Sequence, residues 1–311
     1  MPHSIKGEKM LYQIKCKEKK NPHLSYCLNK LPFLVKQKIL DFLDKNPYSS
    51  VNEIRIHINS VICLIADSKN VKTDIYINES DINEIFNSLC DGSIYAHSET
   101  IKQGYISVGN GIRAGICGKA SLENNDIYGI CEVNSINIRI PYDIYNSSYF
   151  LFNLLRENEF NKSILLYSPP GIGKTTILRD LIKKLSRDAC SVRFSVIDSR
   201  NELTGCMEDT ENADFYISYP KGKAIELATR SMTPNLIICD EISSMEEAVE
   251  ILSSVNSGVK LVATTHAKTY DELISKQILT PLFNNNVFDF VIGVSRAYGS
   301  KKYEFSLTEM V

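Results

Sequence analysis

Apolar residues at Leu31, Leu34, Val35, Ile39, Phe42 and Leu43 recur at helical spacing, and Asn46-Pro47 ends the run. The spacing predicts an amphipathic helix over 31–44. Over 51–58 the period changes to two: Ile54, Ile56 and Ile58 alternate with Arg55 and His57, the pattern of a half-buried strand. A second helix is predicted at 81–89, and short strands at 104–106, 112–117 and 136–140, with Gly109-Asn110-Gly111 as hairpin punctuation between the first two. These elements describe a mixed α+β domain.

Residues 142–148 are polar and tyrosine-rich without a sustained period, and 150–155 form a short apolar helix before 157–161, so the domain linker is placed at 148–161. Beyond residue 163 the pattern is different. Apolar runs at 164–167, 194–197, 236–239, 261–264 and 287–294 alternate with helical segments, which predicts a parallel sheet covered by helices. The expected organisation is a basic N-terminal segment (1–30), an α+β domain (31–147), the linker (148–161) and an α/β domain (162–311).

Length and composition agree with two globular domains. The chain has 311 residues, 43% hydrophobic and 23% charged, which excludes a disulfide-stapled miniprotein and a disordered chain. Its 35 Lys+Arg against 37 Asp+Glu leave a formal charge of −2 and no global polycationic field. Nine cysteines, with no C-x-x-C pair, fit a reducing cytoplasm and small apolar roles in the core. No apolar run approaches the roughly 18 residues that span a bilayer, so a soluble protein is expected. The charge is unevenly spread: Lys6, Lys9, Lys15, Lys17, Lys19 and Lys20 face only Glu8 and Glu18. This head reads either as a solvated terminus or as a site for acidic lipid or an acidic partner.

Chemistry concentrates in the second half. Ser168, Pro169, Pro170, Gly171, Ile172, Gly173, Lys174, Thr175 and Thr176 lie between the strand at 164–167 and a predicted helix at 175–185. The phosphate-binding pattern G-x-x-x-x-G-K-[ST] is met by Gly173, Lys174 and Thr175, with Ser168 in place of the first glycine. Gly171 and Gly173 let backbone N–H groups turn toward phosphate oxygens, and the helix N-terminus adds its dipole. Lys174 is expected on the β and γ phosphates of a nucleotide, and Thr175 on Mg²⁺. Downstream, the apolar strand 236–239 ends in Asp240 and Glu241. Asp240 is expected to hold Mg²⁺ through its water shell and Glu241 to polarise the attacking water.

Three further segments carry candidate residues. Asp198, Arg200 and Glu202 end the strand at 194–197. His266 ends the strand at 261–264, either as a structural hydrogen-bonder or as a sensor of the γ-phosphate. Arg230, at the end of a helix predicted at 223–230, either answers the helix dipole or reaches a phosphate, in its own subunit or across an interface. No zinc site is expected, since a lone histidine lacks neighbouring ligands.

In this order, the glycine-lysine loop, the acidic box from Asp198 to Glu202, the Arg230-to-Glu241 segment and Thr265-His266-Ala267 resemble the secretion and pilus-type hexameric ATPases. Within that superfamily the chain is similar to the stage III sporulation protein AA family. Asn52-Glu-Ile-Arg-Ile56, Gln103-Gly-Tyr-Ile106, Gly109-Asn-Gly-Ile-Arg-Ala-Gly-Ile-Cys-Gly118 and Ser135-Ile-Asn-Ile-Arg-Ile140 carry that likeness into the first half. Ser199 departs from it, standing where a second acid is usual, so Glu202 becomes the acidic-box candidate. The resemblance implies a RecA-like P-loop domain with a predominantly parallel sheet after a smaller α+β domain, and an ATPase using ATP and Mg²⁺. It also implies a homo-oligomeric ring, a hexamer, on the mother-cell face of the forespore membrane, powering a secretion-like channel through the channel proteins of a sporulation complex. Two other readings stand beside it: a nucleic-acid translocase or helicase loader, disfavoured by balanced charge and the lack of a basic-aromatic array, and a nucleotide-gated assembly subunit without turnover. Glu241 argues against the last.

Overall fold

The computed structural model describes residues 9–11, 21–48, 50–67, 69–123, 126–188, 191–203, 210, 212–255, 258–296 and 302–310. Apart from 9–11, the basic head at 1–20 lies outside the described residues. Two compact units are present: Glu18–Tyr142, and Asp143–Val311 together with the N-terminal strand β1 (Lys9–Leu11).

The first unit opens with α1 (Pro22–Asn29), whose N-cap Asn21 accepts the His23 N–H at 3.0 Å, and α2 (Phe33–Lys45), which buries Val35 and Ile39. Then follow β2 (Val51–His57), β3 (Ser60–Ala66), β4 (Lys69–Ile77), α3 (Glu79–Leu89), α4 (Ser98–Lys102), β5 (Tyr105–Gly109), β6 (Ile112–Glu123) and β7 (Asp126–Arg139). The six strands form an antiparallel sheet in the order β4-β3-β2-β7-β6-β5. Alternation sets its faces. Ile54 and Ile56 are fully buried while Arg55 and His57 are exposed, and the register puts Ile54 opposite Ile138 and Ile56 opposite Ile136 on the same core face. Each such isoleucine stabilises the unit by about 1.5–3 kcal/mol. A reciprocal capping box, Asn78 with Asp81, starts α3, which adds Ile82, Ile85, Phe86 and Leu89 to this core.

The second unit contains α5 (Tyr149–Glu157), β8 (Ile164–Ser168), α6 (Lys174–Asp188), β9 (Phe194–Asp198), β10 (Ala213–Ile217), α7 (Lys221–Ser231), β11 (Leu236–Glu241), α8 (Met245–Val255), β12 (Lys260–His266), α9 (Tyr270–Ser275), α10 (Thr280–Asn284), β13 (Phe290–Ser295) and β14 (Glu304–Glu309). Its sheet runs β1-β14-β13-β8-β12-β11-β9-β10; β8 to β13 are mutually parallel, and β14 and β1 add antiparallel. β8 and β9 are buried at every position, so neither shows the polar alternation of a half-buried strand. Ala224 and Ile225 of α7 and Ala248 and Ile251 of α8 pack on Leu165, Ile237 and Leu261.

The segment read as a linker, 148–161, carries α5 inside this second unit. Phe150, Leu151, Phe152 and Leu155 are buried there, and Asp180 of α6 accepts from the Ser148 N–H and hydroxyl at 2.8 and 2.6 Å, which holds the start of the helix. Because the central strands are parallel, Ser168, Asp198, the Asp240-Glu241 pair and His266 all emerge at one carboxyl edge.

Candidate functional site

The loop from Ser168 to Lys174 is shaped by two glycines. Gly171 has φ +79° and Gly173 φ +117°, conformations that L side chains rarely adopt, and a Cβ on Gly173 would lie 2.4 Å from the Tyr303 hydroxyl. The loop therefore passes close against Tyr303, which is fully buried, and delivers Lys174, Thr175 and Thr176 into the first turn of α6. There the backbone N–H groups of a helix N-terminus have no intrahelical acceptors. Ser168 holds the place of the pattern's first glycine; its carbonyl accepts from Lys174 Nζ at 3.1 Å and its Oγ lies at 3.3 Å.

The acidic pair is placed by side-chain contacts more than by the ladder. β11 pairs with β9 as far as Cys239, and its register against β12 shifts between Ile238 and Glu241. Past that point, Asp240 Oδ2 accepts from Ser199 Oγ at 2.8 Å and from the Arg200 N–H at 3.3 Å, while Oδ1 faces Lys221 Nζ at 3.1 Å. Burial pushes the Asp240 carboxyl up, and Lys221 and the Ser199 hydrogen bond pull it back. Lys221 is itself 2% exposed; it donates to the Glu241 carbonyl and to Glu247 Oε1 at 2.7 Å. Burial pulls its ammonium down, but Asp240 and Glu247 outweigh that and hold it above its ordinary value.

His266 links the loop to the acidic pair. Its Nδ1 lies 2.7 Å from Lys174 Nζ and its Nε2 lies 3.0 Å from Glu241 Oε2. An ammonium offers no lone pair, so toward Lys174 Nδ1 accepts, and Nε2–H donates to Glu241. Arg200 Nη1 reaches the same Glu241 Oε2 at 3.2 Å. The result is a continuous chain: Lys174, His266, Glu241, Arg200. Lys174 is 6% exposed, and burial pulls its ammonium down to about 8, with Glu241 opposing and Lys276 reinforcing that shift.

Two sequence candidates stand apart from this cluster. Glu202 enters through its backbone: its N–H donates to Asp198 Oδ1 at 2.8 Å and its carbonyl accepts from Arg179 Nε at 2.8 Å. Fully buried Asp198 also takes the Leu203 N–H at 2.7 Å, so it clamps the loop after β9. Arg230 pairs with Glu226 at 2.7 Å, one turn back on α7, with its side chain 73% exposed. Sequence reasoning missed Lys221 and Glu247, and found in Ser199 only a departure. A lysine at the first position of a helix, where the dipole disfavours a cation, is the one local signal that pointed to Lys221.

The family model for "Sporulation stage III, protein AA" matches residues 28–302. Stage III sporulation protein AA of Bacillus subtilis (strain 168) is 28% identical over 269 residues, covering 84% of this chain and 87% of that protein. The uncharacterized protein ycf45 of Cyanidium caldarium is 30% identical over 136 residues, 40% of this chain and 39% of that one. Among solved structures, the Legionella pneumophila ATPase DotB superposes with a TM-score of 0.59 at 15% identity, covering 85% of this chain and 76% of that chain. The pilus retraction motor PilT with bound ADP gives 0.59 at 12% identity, covering 89% and 82%. At these identities the likeness is one of fold: α/β, RecA-like, with a mostly parallel sheet.

Proposed function

Because the chain belongs to the sporulation stage III protein AA family, we propose that it is a Mg²⁺-dependent ATPase of the secretion-motor type. The observation that carries this reading is the hydrogen-bonded chain from Lys174 through His266 to Glu241, which ties the glycine loop to the acidic pair at one strand edge.

The residues present fit a metal-nucleotide. The loop's close approach at Gly173 leaves no room for a side chain, as a backbone cradle for phosphate requires. Thr175 and Asp240 supply the hard oxygen donors that Mg²⁺ prefers. When bound, ATP with Mg²⁺ supplies the transferable phosphoryl group and a divalent counter-charge.

The chain's own groups then divide the work. Loop N–H groups and the α6 N-terminus bind phosphate oxygens, and Lys174 neutralises charge on the transferring group. Thr175 and Asp240 hold the hydrated cation. Glu241 orients the attacking water, and His266 senses the state of Lys174 through Nδ1 and relays it to Glu241 through Nε2–H. Glu202 serves as a backbone anchor of the loop after β9. Arg230, exposed on α7, is available to a neighbouring subunit of a ring. The names DotB and PilT, an ATPase and a retraction motor, support coupling of hydrolysis to mechanical work. The family's name supports a place in sporulation, with a homo-oligomer driving a secretion-like channel at the forespore membrane. No helix among the described residues is long and apolar enough to cross a membrane, which fits peripheral docking.

Lys174→Ala is expected to abolish ATP turnover, whereas Glu241→Gln binds ATP normally and hydrolyses it at least 100-fold more slowly. Phosphate release and fluorescent-nucleotide binding by the purified variants check both; wild-type turnover by Glu241→Gln would overturn the reading.

A further inference from the structure

Lys221 stands outside every motif that identified the site, yet it touches both members of the acidic pair. Its ammonium faces Asp240 Oδ1 at 3.1 Å, donates to the Glu241 carbonyl, and is held from behind by Glu247 Oε1 at 2.7 Å. It is 2% exposed and opens helix α7, so both burial and the helix dipole oppose a charge there. Its carboxylate partners and the Glu241 carbonyl offset those costs. The strand cannot replace it: pairing with β9 ends at Cys239, and the β12 register skips Asp240 before resuming at Glu241 opposite Thr264, so the ladder restrains the acidic pair on one side only and leaves Asp240 out of register. Ser199 and Arg200 restrain one oxygen of Asp240. Lys221 restrains the other, and the peptide of Glu241 as well.

We propose that Lys221 is a positioning residue for nucleotide hydrolysis, a buried cation that fixes the Asp240 carboxylate and the Glu241 main chain in the orientation that couples Mg²⁺ to the nucleotide. This rests on the ATPase reading above. Glu247 orients Lys221 in turn, so α8 and α7 are both tied to the acidic pair through one ammonium. A lysine that served stability alone would leave the response to Mg²⁺ unchanged.

The test compares wild type, Lys221→Met, Glu247→Gln and the surface control Lys223→Met by fluorescent-ATP binding with and without Mg²⁺, and by kcat and KM. Lys221→Met should bind metal-free nucleotide within twofold of wild type, lose at least tenfold of the Mg²⁺ enhancement, and show a lower kcat together with a KM raised by a similar factor. Glu247→Gln, whose partner stays in place, should lose two- to threefold of the enhancement, and Lys223→Met none. If Lys221→Met does not fold, Glu247→Gln decides alone. A wild-type Mg²⁺ response in folded Lys221→Met, or in Glu247→Gln where that variant decides, overturns the inference. Absence of any Mg²⁺-dependent ATP binding by the wild type would instead overturn the ATPase reading on which it rests.

Discussion

In the antiparallel sheet of the Glu18–Tyr142 unit, each strand divides its side chains between two faces: Ile54 and Ile56 enter the core while Arg55 and His57 point the other way. In the parallel sheet, β8 and β9 are buried along their whole length, and β11 is buried from Leu236 to Asp240. The first sheet has polar side chains to offer along most of its strands, β3 being the exception. The second has nearly none until its strands stop, and because they are parallel they stop at the same edge. Chemistry in this unit is therefore confined to strand ends, where the ladder fails and side chains such as Lys221 and Ser199 take over the placing of groups.

Glycine substitutions give the largest expected contrast. Gly173→Ala puts a Cβ 2.4 Å from Tyr303 Oη on a backbone with φ +117° and should weaken nucleotide binding by at least 30-fold. Gly118→Ala meets the Glu132 carbonyl at 1.9 Å between β6 and β7, so it should lower stability by about 1–3 kcal/mol and leave nucleotide affinity within twofold. Titration with a fluorescent nucleotide and thermal melts separate the two. If Gly118→Ala weakened nucleotide binding as much as Gly173→Ala, the division between a structural sheet and a chemical edge would fail.

A core truncation gives a smaller and purely energetic contrast. Ile138→Ala, opposite Ile54 in the first sheet, should cost about 2–5 kcal/mol by denaturant melt while sparing nucleotide affinity. An equal loss of affinity would mean that the two units do not hold their functions separately.

Thiol chemistry gives the mildest contrast. Burial pushes Cys27 up to about 12 and Cys90 up to about 11 from an ordinary 9.0, while Cys117 and Cys131 are exposed. At pH 8 iodoacetamide should label Cys117 and Cys131 at least 100-fold faster than Cys27 and Cys90, read by peptide mass mapping. A raised folded-state value also means that the stabilisation from keeping these thiols protonated is complete below about pH 9 and is lost as pH rises toward 11–12. An alkaline melt series should show the loss beginning above pH 9.

Legibility from sequence followed the same division. Strong periods were readable: the alternation at 51–58, the apolar runs of β8, β9, β11 and β12, and the loop ending in Gly173-Lys174 led to the right elements. β3, an apolar run from Val61 to Ile65, and β4, which follows it after two residues, were not read as strands. β10 carries intermediate burial at every position, so no clear period marks an edge strand of that kind. In the site, residues inside a motif were legible and residues that hold a motif in place were not. Lys221 meets Asp240 and Glu247 across 19 and 26 positions, and Ser199 meets Asp240 across 41, distances at which no local pattern survives folding. The acidic box was read for its carboxylates, but Glu202 contributes backbone groups and Asp198 clamps them.

Strand β1 pairs with β14, Lys9 opposite Ser306 and Leu11 opposite Glu304. One edge strand of the larger sheet thus precedes the Glu18–Tyr142 unit in sequence, while the strand it pairs with among the described residues follows that unit. On a ribosome, β1 cannot make this pairing until β14 has been made. Pairing of β1 with β14 therefore waits until the inserted unit and the other strands of its own sheet have been made.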